Sequence, residues 1–176
     1  MQTIWGIDLG GTKIEGVVLS SPSPDAVVIR KRIDTESHKG YQHIANQIVR
    51  LIHELEAETG YRAESVGLGT PGTVEPSNGL MKNCNTTCLN GMPLKDDLIK
   101  ALNIPVAIAN DANCFALAEA TMGIVPDVVP DFNCVFGVIM GTGVGGGVVF
   151  RGKDGQPFVL NGRQGIGGEW GHNELE

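Results

Sequence analysis

Three early stretches of the chain, residues 3–8, 14–19 and 26–34, are apolar and rich in β-branched side chains. Stretches of this length and composition predict strands. The first two are joined by Leu9-Gly10-Gly11-Thr12-Lys13, a link too short for a helix. The second and third are separated by SSPSPD, a loop by its prolines and serines. Three strands with tight links predict an antiparallel meander. The spacing then changes. Ile44, Ile48, Leu51, Ile52 and Leu55 recur at helical intervals, and Gly60 follows as a stop signal, so a helix is predicted over 41–59.

Further on, 65–70 reads as a short buried strand, and 71–93 as a loop rich in Pro, Gly and Asn. A helix at 94–102, a strand at 106–110 and a helix at 112–122, closed by Gly123, come next. After the Pro/Asp segment VPDVVPD, strand character returns at 134–140 and 144–150. The predicted order is βββαβαβα followed by ββ.

That return is a repeat. IWGIDLGGTKIEGVVL (4–19) laid over VFGVIMGTGVGGGVVF (135–150) matches Gly6 to Gly137 and Gly10 to Gly141. Gly16-Val17-Val18 falls on Gly147-Val148-Val149, with apolar residues opposite apolar ones through most of both stretches. A glycine turn at the same place in both predicts two lobes on one plan, a first lobe over 1–122 and the beginning of a second over 123–176.

Composition narrows the class. The 176 residues are 41% hydrophobic and 19% charged, with a net charge of −7 and no basic stripe. That argues against a nucleic-acid partner. No apolar run is long enough to span a bilayer, and the N-terminus lacks the features of a signal peptide, so the expectation is a cytoplasmic protein. Cys84, Cys88, Cys114 and Cys134 form no C-x-x-C and are expected as thiols.

The 25 glycines cluster rather than spread. GLGTPG (67–72) and GTGVGG (141–146) both fit G-x-G-x-x-G, but neither is predicted to open a helix, which excludes a dinucleotide fingerprint. GIDLGGTK has Thr before Lys, the reverse of a P-loop. Two strand–glycine turn–strand hairpins remain, at DLGGTK and GTGVGG. Backbone N–H groups in such turns form anion-binding concavities. The expected nucleotide-phosphate ligands are therefore Gly10, Gly11, Thr12 and Lys13 from the first turn, and Gly141, Thr142 and Gly143 from the second. The two turns are expected to face each other across a cleft. Asp8 ends its strand and is suited to Mg²⁺, directly or through water. Asp111 suits two roles, a general base at a strand end or an N-cap for the helix that follows, and the residues alone leave both open. Asn110 offers a donor and an acceptor to sugar hydroxyls.

DLGGTK, GTGVGGG and the terminal GGEWGHN resemble the ROK family (repressors, open reading frames, kinases) of the actin/hexokinase/Hsp70 superfold. NDANCFALAEA (110–120) is similar to the segment of its sugar kinases that carries the catalytic acid. MKNCNTTCLNGMPL (81–94) looks most like the bacterial fructokinase branch. The resemblance runs along essentially the whole chain. It implies an α/β, RNase H-like fold and an ATP- and Mg²⁺-dependent hexose kinase, with fructose as the first expectation. N-acetylglucosamine, mannose or glucose are alternatives, and a non-catalytic sugar-binding fragment or a regulator are the rivals of another class. It implies Asp111 as the base, with Gly72, Asn83, Asn110, Glu169 and His172 around the sugar.

In the family that histidine also ligates zinc with three downstream cysteines, a segment this sequence does not reach, so zinc is expected only in a full-length form. A homodimer is expected there too. The chain reads as an N-terminal portion of such a kinase. The family's regulators carry a helix-turn-helix ahead of this turn, and Asp8 stands too near the start for one.

Overall fold

The alternating apolar positions become β1 (Ile4–Leu9), β2 (Lys13–Leu19) and β3 (Val27–Asp34), an antiparallel meander. These and the following elements come from a computed structural model that describes residues 3–140 and 144–162. The chain forms two compact units, Met1–Ala109 and Asn110–Glu176.

In the first unit, α1 (Tyr41–Thr59) buries Ile44, Ile48, Leu51, Ile52 and Leu55. Gly60, at φ 72°, ends the helix by donating its N–H to the Glu56 carbonyl, the left-handed cap that glycine adopts without a Cβ penalty. The helix packs closely on the sheet because β2 carries Gly16. A Cβ there would lie 2.7 Å from Leu55 Cδ1 and 3.2 Å from Leu51 Cδ2. β4 (Val66–Thr70) runs parallel to β1, with Asp8 opposite Gly69. Within the loop expected at 71–93 lies a two-stranded ribbon, β5 (Thr73–Val74) with β6 (Met81–Lys82), too short to leave an alternation signal. α2 (Leu94–Leu102) buries Leu94 and Leu98 and leads to β7 (Val106–Asn110).

The sheet order is β3-β2-β1-β4-β7. The Val66 N–H reaches the Pro105 carbonyl, and the Thr70 hydroxyl reaches that of Ala109. The offset is the same at both ends, so β4 and β7 run in the same direction. Their carboxyl ends, with that of β1, lie at one edge of the sheet, where open α/β sheets place their ligands.

The second unit begins with α3 (Asp111–Thr121), then a short helix α4 (Val125–Val128) within the Pro/Asp segment. β8 (Cys134–Met140), β9 (Val144–Arg151) and β10 (Pro157–Val159) form a three-stranded sheet in the order β10-β9-β8. β10 was not expected; it is three residues long and opens with Pro157, a residue confined to strand starts and edges. Gly137 and Gly147 pair across β8 and β9. A Cβ on either would come within 2.9 Å of the Ala116 Cβ, so the paired glycines let α3 lie close on the sheet. That packing joins α3 to the second unit. The compact units divide between Ala109 and Asn110.

The two hairpins repeat, though one residue out of step. Leu9 pairs with Ile14 as the last pair of the first hairpin, leaving 10–13 between them; Met140 pairs with Val144, leaving 141–143. The sequence overlay put Gly6 on Gly137, yet Gly6 faces Val17 whereas Gly137 faces Gly147. One residue fewer in the turn exchanges the faces of one strand. Trp5, Ile7 and Leu9 are buried in β1, while their overlay counterparts Phe136, Val138 and Met140 are exposed.

Candidate active site

The first unit's site is built at the end of β1. Asp8 is the last residue but one of the strand, opposite Glu15 on β2. Its carboxyl pKa is raised, first because the surrounding protein dehydrates it, then by the negative Glu15; Arg32 opposes both. An exposed carboxylate is an oxygen donor of the kind Mg²⁺ takes, though among the described residues no cluster of three or more His, Cys, Asp or Glu is placed to hold a metal ion.

The turn after it closes on itself, the Gly10 N–H donating to the Lys13 carbonyl at 2.9 Å. Lys13 directs its charge to Asp34 on β3. Thr35, fully buried, fastens the turn from beneath. Its hydroxyl donates to the Gly10 carbonyl at 2.7 Å, and its N–H donates to the Thr12 carbonyl at 2.9 Å. Sequence reasoning missed Thr35, although continuing the β2–β3 register one step beyond Lys13 and Asp34 sets it opposite Thr12.

The expected pocket residues Gly72 and Asn83 meet. Gly72 takes φ 90°, and a Cβ there would lie 2.4 Å from the Lys82 carbonyl oxygen and 2.8 Å from the Asn83 carbonyl carbon. Asn83 itself is left-handed at φ 55°. The same loop then swings past the glycine turn, placing the Thr86 hydroxyl 3.6 Å from where a Gly11 Cβ would be. Asn90 staples this loop, accepting from the Cys84 N–H at 2.8 Å and donating to its carbonyl at 3.1 Å. A groove of about 440 Å³ results, lined by Gly11, Thr12, Ser37, His38, Thr86 and Cys88 among others. All four cysteines are thiols, Cys84 buried and Cys88 half-buried on this loop.

In the second unit, Asn110 and Asp111 both meet the start of α3. The cap of α3 is Asn110: its Oδ1 accepts from the Asn113 N–H at 3.2 Å, and the residue is buried. Asp111 is the first helical residue, and its Oδ1 accepts from the Ala112 N–H at 2.7 Å. Asn113 in turn donates through Nδ2 to Asn161 at 3.1 Å, tying the start of α3 to the segment after β10. The remaining expected ligands, Gly141, Thr142, Gly143, Glu169 and His172, lie outside the described residues, as does the proposed pairing of the two turns.

The ROK family pattern matches residues 4–176. The chain belongs to the ROK family. It is 37% identical over 171 residues to an N-acetyl-D-glucosamine kinase of Vibrio cholerae, covering 97% of this chain and 52% of that protein. An N-acetyl-D-glucosamine kinase of Pasteurella multocida is 38% identical over the same length. Among solved structures, the ROK hexokinase of Thermus thermophilus superposes with a TM-score of 0.79 at 32% identity, over 99% of this chain and 54% of that one. A ROK glucokinase of Streptomyces griseus, solved with glucose and AMPPNP, gives 0.77 at 26% identity, over 99% and 51%. The fold is therefore the actin/hexokinase type expected from the motifs. The chain spans about half the length of the curated relatives it matches. Among the described residues no helix is long and apolar enough to cross a membrane.

Proposed function

We propose that this ROK chain belongs to an ATP-dependent sugar kinase whose sugar is N-acetyl-D-glucosamine. Fructose, the first expectation, gives way to that alternative because the curated relatives reported above are named N-acetyl-D-glucosamine kinases. The observation that carries the catalytic part is the placement of Asp111 at the start of α3. Asn110 is the N-cap, while Asp111 follows it at the end of β7 as the first helical residue and accepts from the Ala112 N–H.

In the proposed reaction a sugar hydroxyl oxygen attacks the γ-phosphorus, the bond to the ADP oxygen breaks, and the hydroxyl proton passes to a carboxylate oxygen of Asp111. The turn at 10–13 holds phosphate oxygens through backbone N–H groups and the Thr12 hydroxyl. Asp8 would hold Mg²⁺, which supplies charge neutralisation on the phosphates when bound. Gly72 and Asn83 shape the sugar side, with Asn110, Glu169 and His172 contributing contacts and Gly141, Thr142 and Gly143 a second phosphate turn. A cytoplasmic location, where ATP is supplied, and a homodimer complete the reading.

The test is ADP release by the full-length gene product with N-acetylglucosamine, glucose, mannose and fructose in turn. The highest kcat/KM is expected with N-acetylglucosamine. Preference for fructose would restore the first expectation, and turnover with none of the four would overturn the kinase reading.

A further inference from the structure

The glycine turn at 10–13 is held by a residue that lies outside it. We propose that Thr35 is a positioning residue for nucleotide binding, setting the direction of the peptide planes at 10–11 and 12–13. The inference rests on the kinase reading and goes beyond it.

A peptide unit is planar and, in the usual case, trans. In such a unit the C=O and the following N–H point in opposite directions, and no cis peptide occurs among the described residues. Thr35 takes the Gly10 carbonyl through its hydroxyl at 2.7 Å and the Thr12 carbonyl through its N–H at 2.9 Å. Drawing both carbonyls toward Thr35 aims the Gly11 and Lys13 N–H groups the other way. An anion-binding turn needs this arrangement, because a carbonyl swung outward would present its negative end to a phosphate.

Glycine makes the tie necessary. Gly10 and Gly11 give the turn its close approach but leave its peptide planes free to rotate, so orientation must come from elsewhere. Thr35 can provide it because it is itself anchored. It is fully buried, and Gln47 of α1 donates from Nε2 to the Asp34 carbonyl at 3.1 Å, fixing the preceding residue to the core. The route runs from the packed helix through the end of β3 to the turn, entirely within the first unit.

The experiment compares wild type, Thr35→Val and Thr35→Ser in the full-length gene product, reading KM for ATP, KM for sugar, kcat and the melting temperature. Thr35→Val keeps the shape and removes the hydroxyl. The net worth of one hydrogen bond corresponds to about tenfold in affinity, so KM for ATP should rise about tenfold. KM for sugar should stay within twofold, and Thr35→Ser should restore the wild-type KM for ATP. A Thr35→Val protein that melts earlier but binds ATP normally would overturn the proposal, reducing Thr35 to a packing residue. Failure of Thr35→Ser to rescue would do the same. Should Thr35→Val not fold, Thr35→Cys keeps a weak donor and should raise KM for ATP by a smaller factor; an unchanged value sinks the idea. Wild-type protein that phosphorylates no sugar is a separate result, which removes the kinase reading and this proposal with it.

Discussion

Asp8 shows how a single residue can be placed against stability. Its pKa is raised by dehydration and by Glu15, so the folded protein holds that proton to higher pH than the unfolded chain does. The native state then binds more protons between the two pKa values, and stability falls as pH rises through that window. Asp8→Asn removes the charge without changing the shape. Because Asp8 is exposed, solvent screens much of that effect, so the variant should melt only slightly higher than wild type at pH 7, show no advantage below the unfolded carboxylate pKa, and lose Mg²⁺-dependent nucleotide binding. A lower melting temperature at pH 7 would mean that the charge is satisfied in the fold.

Gly72 is constrained in another way, by a left-handed backbone and by neighbours that cannot yield. A methyl there meets the backbone of Lys82 and Asn83, whereas Gly79, also left-handed at φ 75°, has nothing within 4 Å. Gly79→Ala should cost about 1 kcal/mol from conformation alone. Gly72→Ala adds overpacking worth about 1–3 kcal/mol. Equal urea midpoints for the two variants would refute the packing argument.

At the scale of elements, the periodic stretches were legible and the short ones were not. β1, β2, β3, α1 and α2 fall within a residue or so of their expected bounds, because alternation and helical spacing are imposed by burial of one face. β5, β6, β10 and α4 span two to four residues each, too few for any period to show. The repeat was readable as sequence, yet its register was not, because a turn one residue shorter leaves the glycines aligned while exchanging a strand's faces. α3 carries little amphipathic pattern, and its seating depends on Gly137 in β8 and Gly147 in β9, which the sequence reading uses only to align the repeat. Gly147→Ala tests that seating. Its methyl would lie 2.8 Å from the Ala116 Cβ and 3.0 Å from the Ala112 carbonyl oxygen, both fixed to the helix. A loss of about 1–3 kcal/mol is expected by denaturant unfolding, and wild-type stability would show that α3 is not so closely seated.

For the whole molecule, the family and fold were legible because four motifs occur in order, DLGGTK, NDAN, GTGVGGG and GGEWGHN, at separations a single fold accounts for. The sugar was not legible, since the motifs serve phosphate and proton chemistry common to several kinases, and the preference came from the relatives. Nor could sequence reveal what ties each unit's loops together: Thr35 and Asn113 act through hydrogen bonds spanning 25 and 48 residues, and Asn90 reaches back six residues to Cys84, none of which leaves a periodic pattern.

Asp111 carries the proposed proton transfer. Replacing it with Asn keeps the Asn110 cap and an oxygen that can accept from the Ala112 N–H, so the change should alter stability by no more than about 1 kcal/mol, the worth of a charge at a helix N-terminus. The decisive measurement is kcat of the full-length gene product and its Asp111→Asn variant with ATP and N-acetylglucosamine. Loss of the general base predicts a fall on the order of 10²–10⁴-fold at nearly unchanged stability. A variant turning over within a few-fold of wild type would contradict the mechanism.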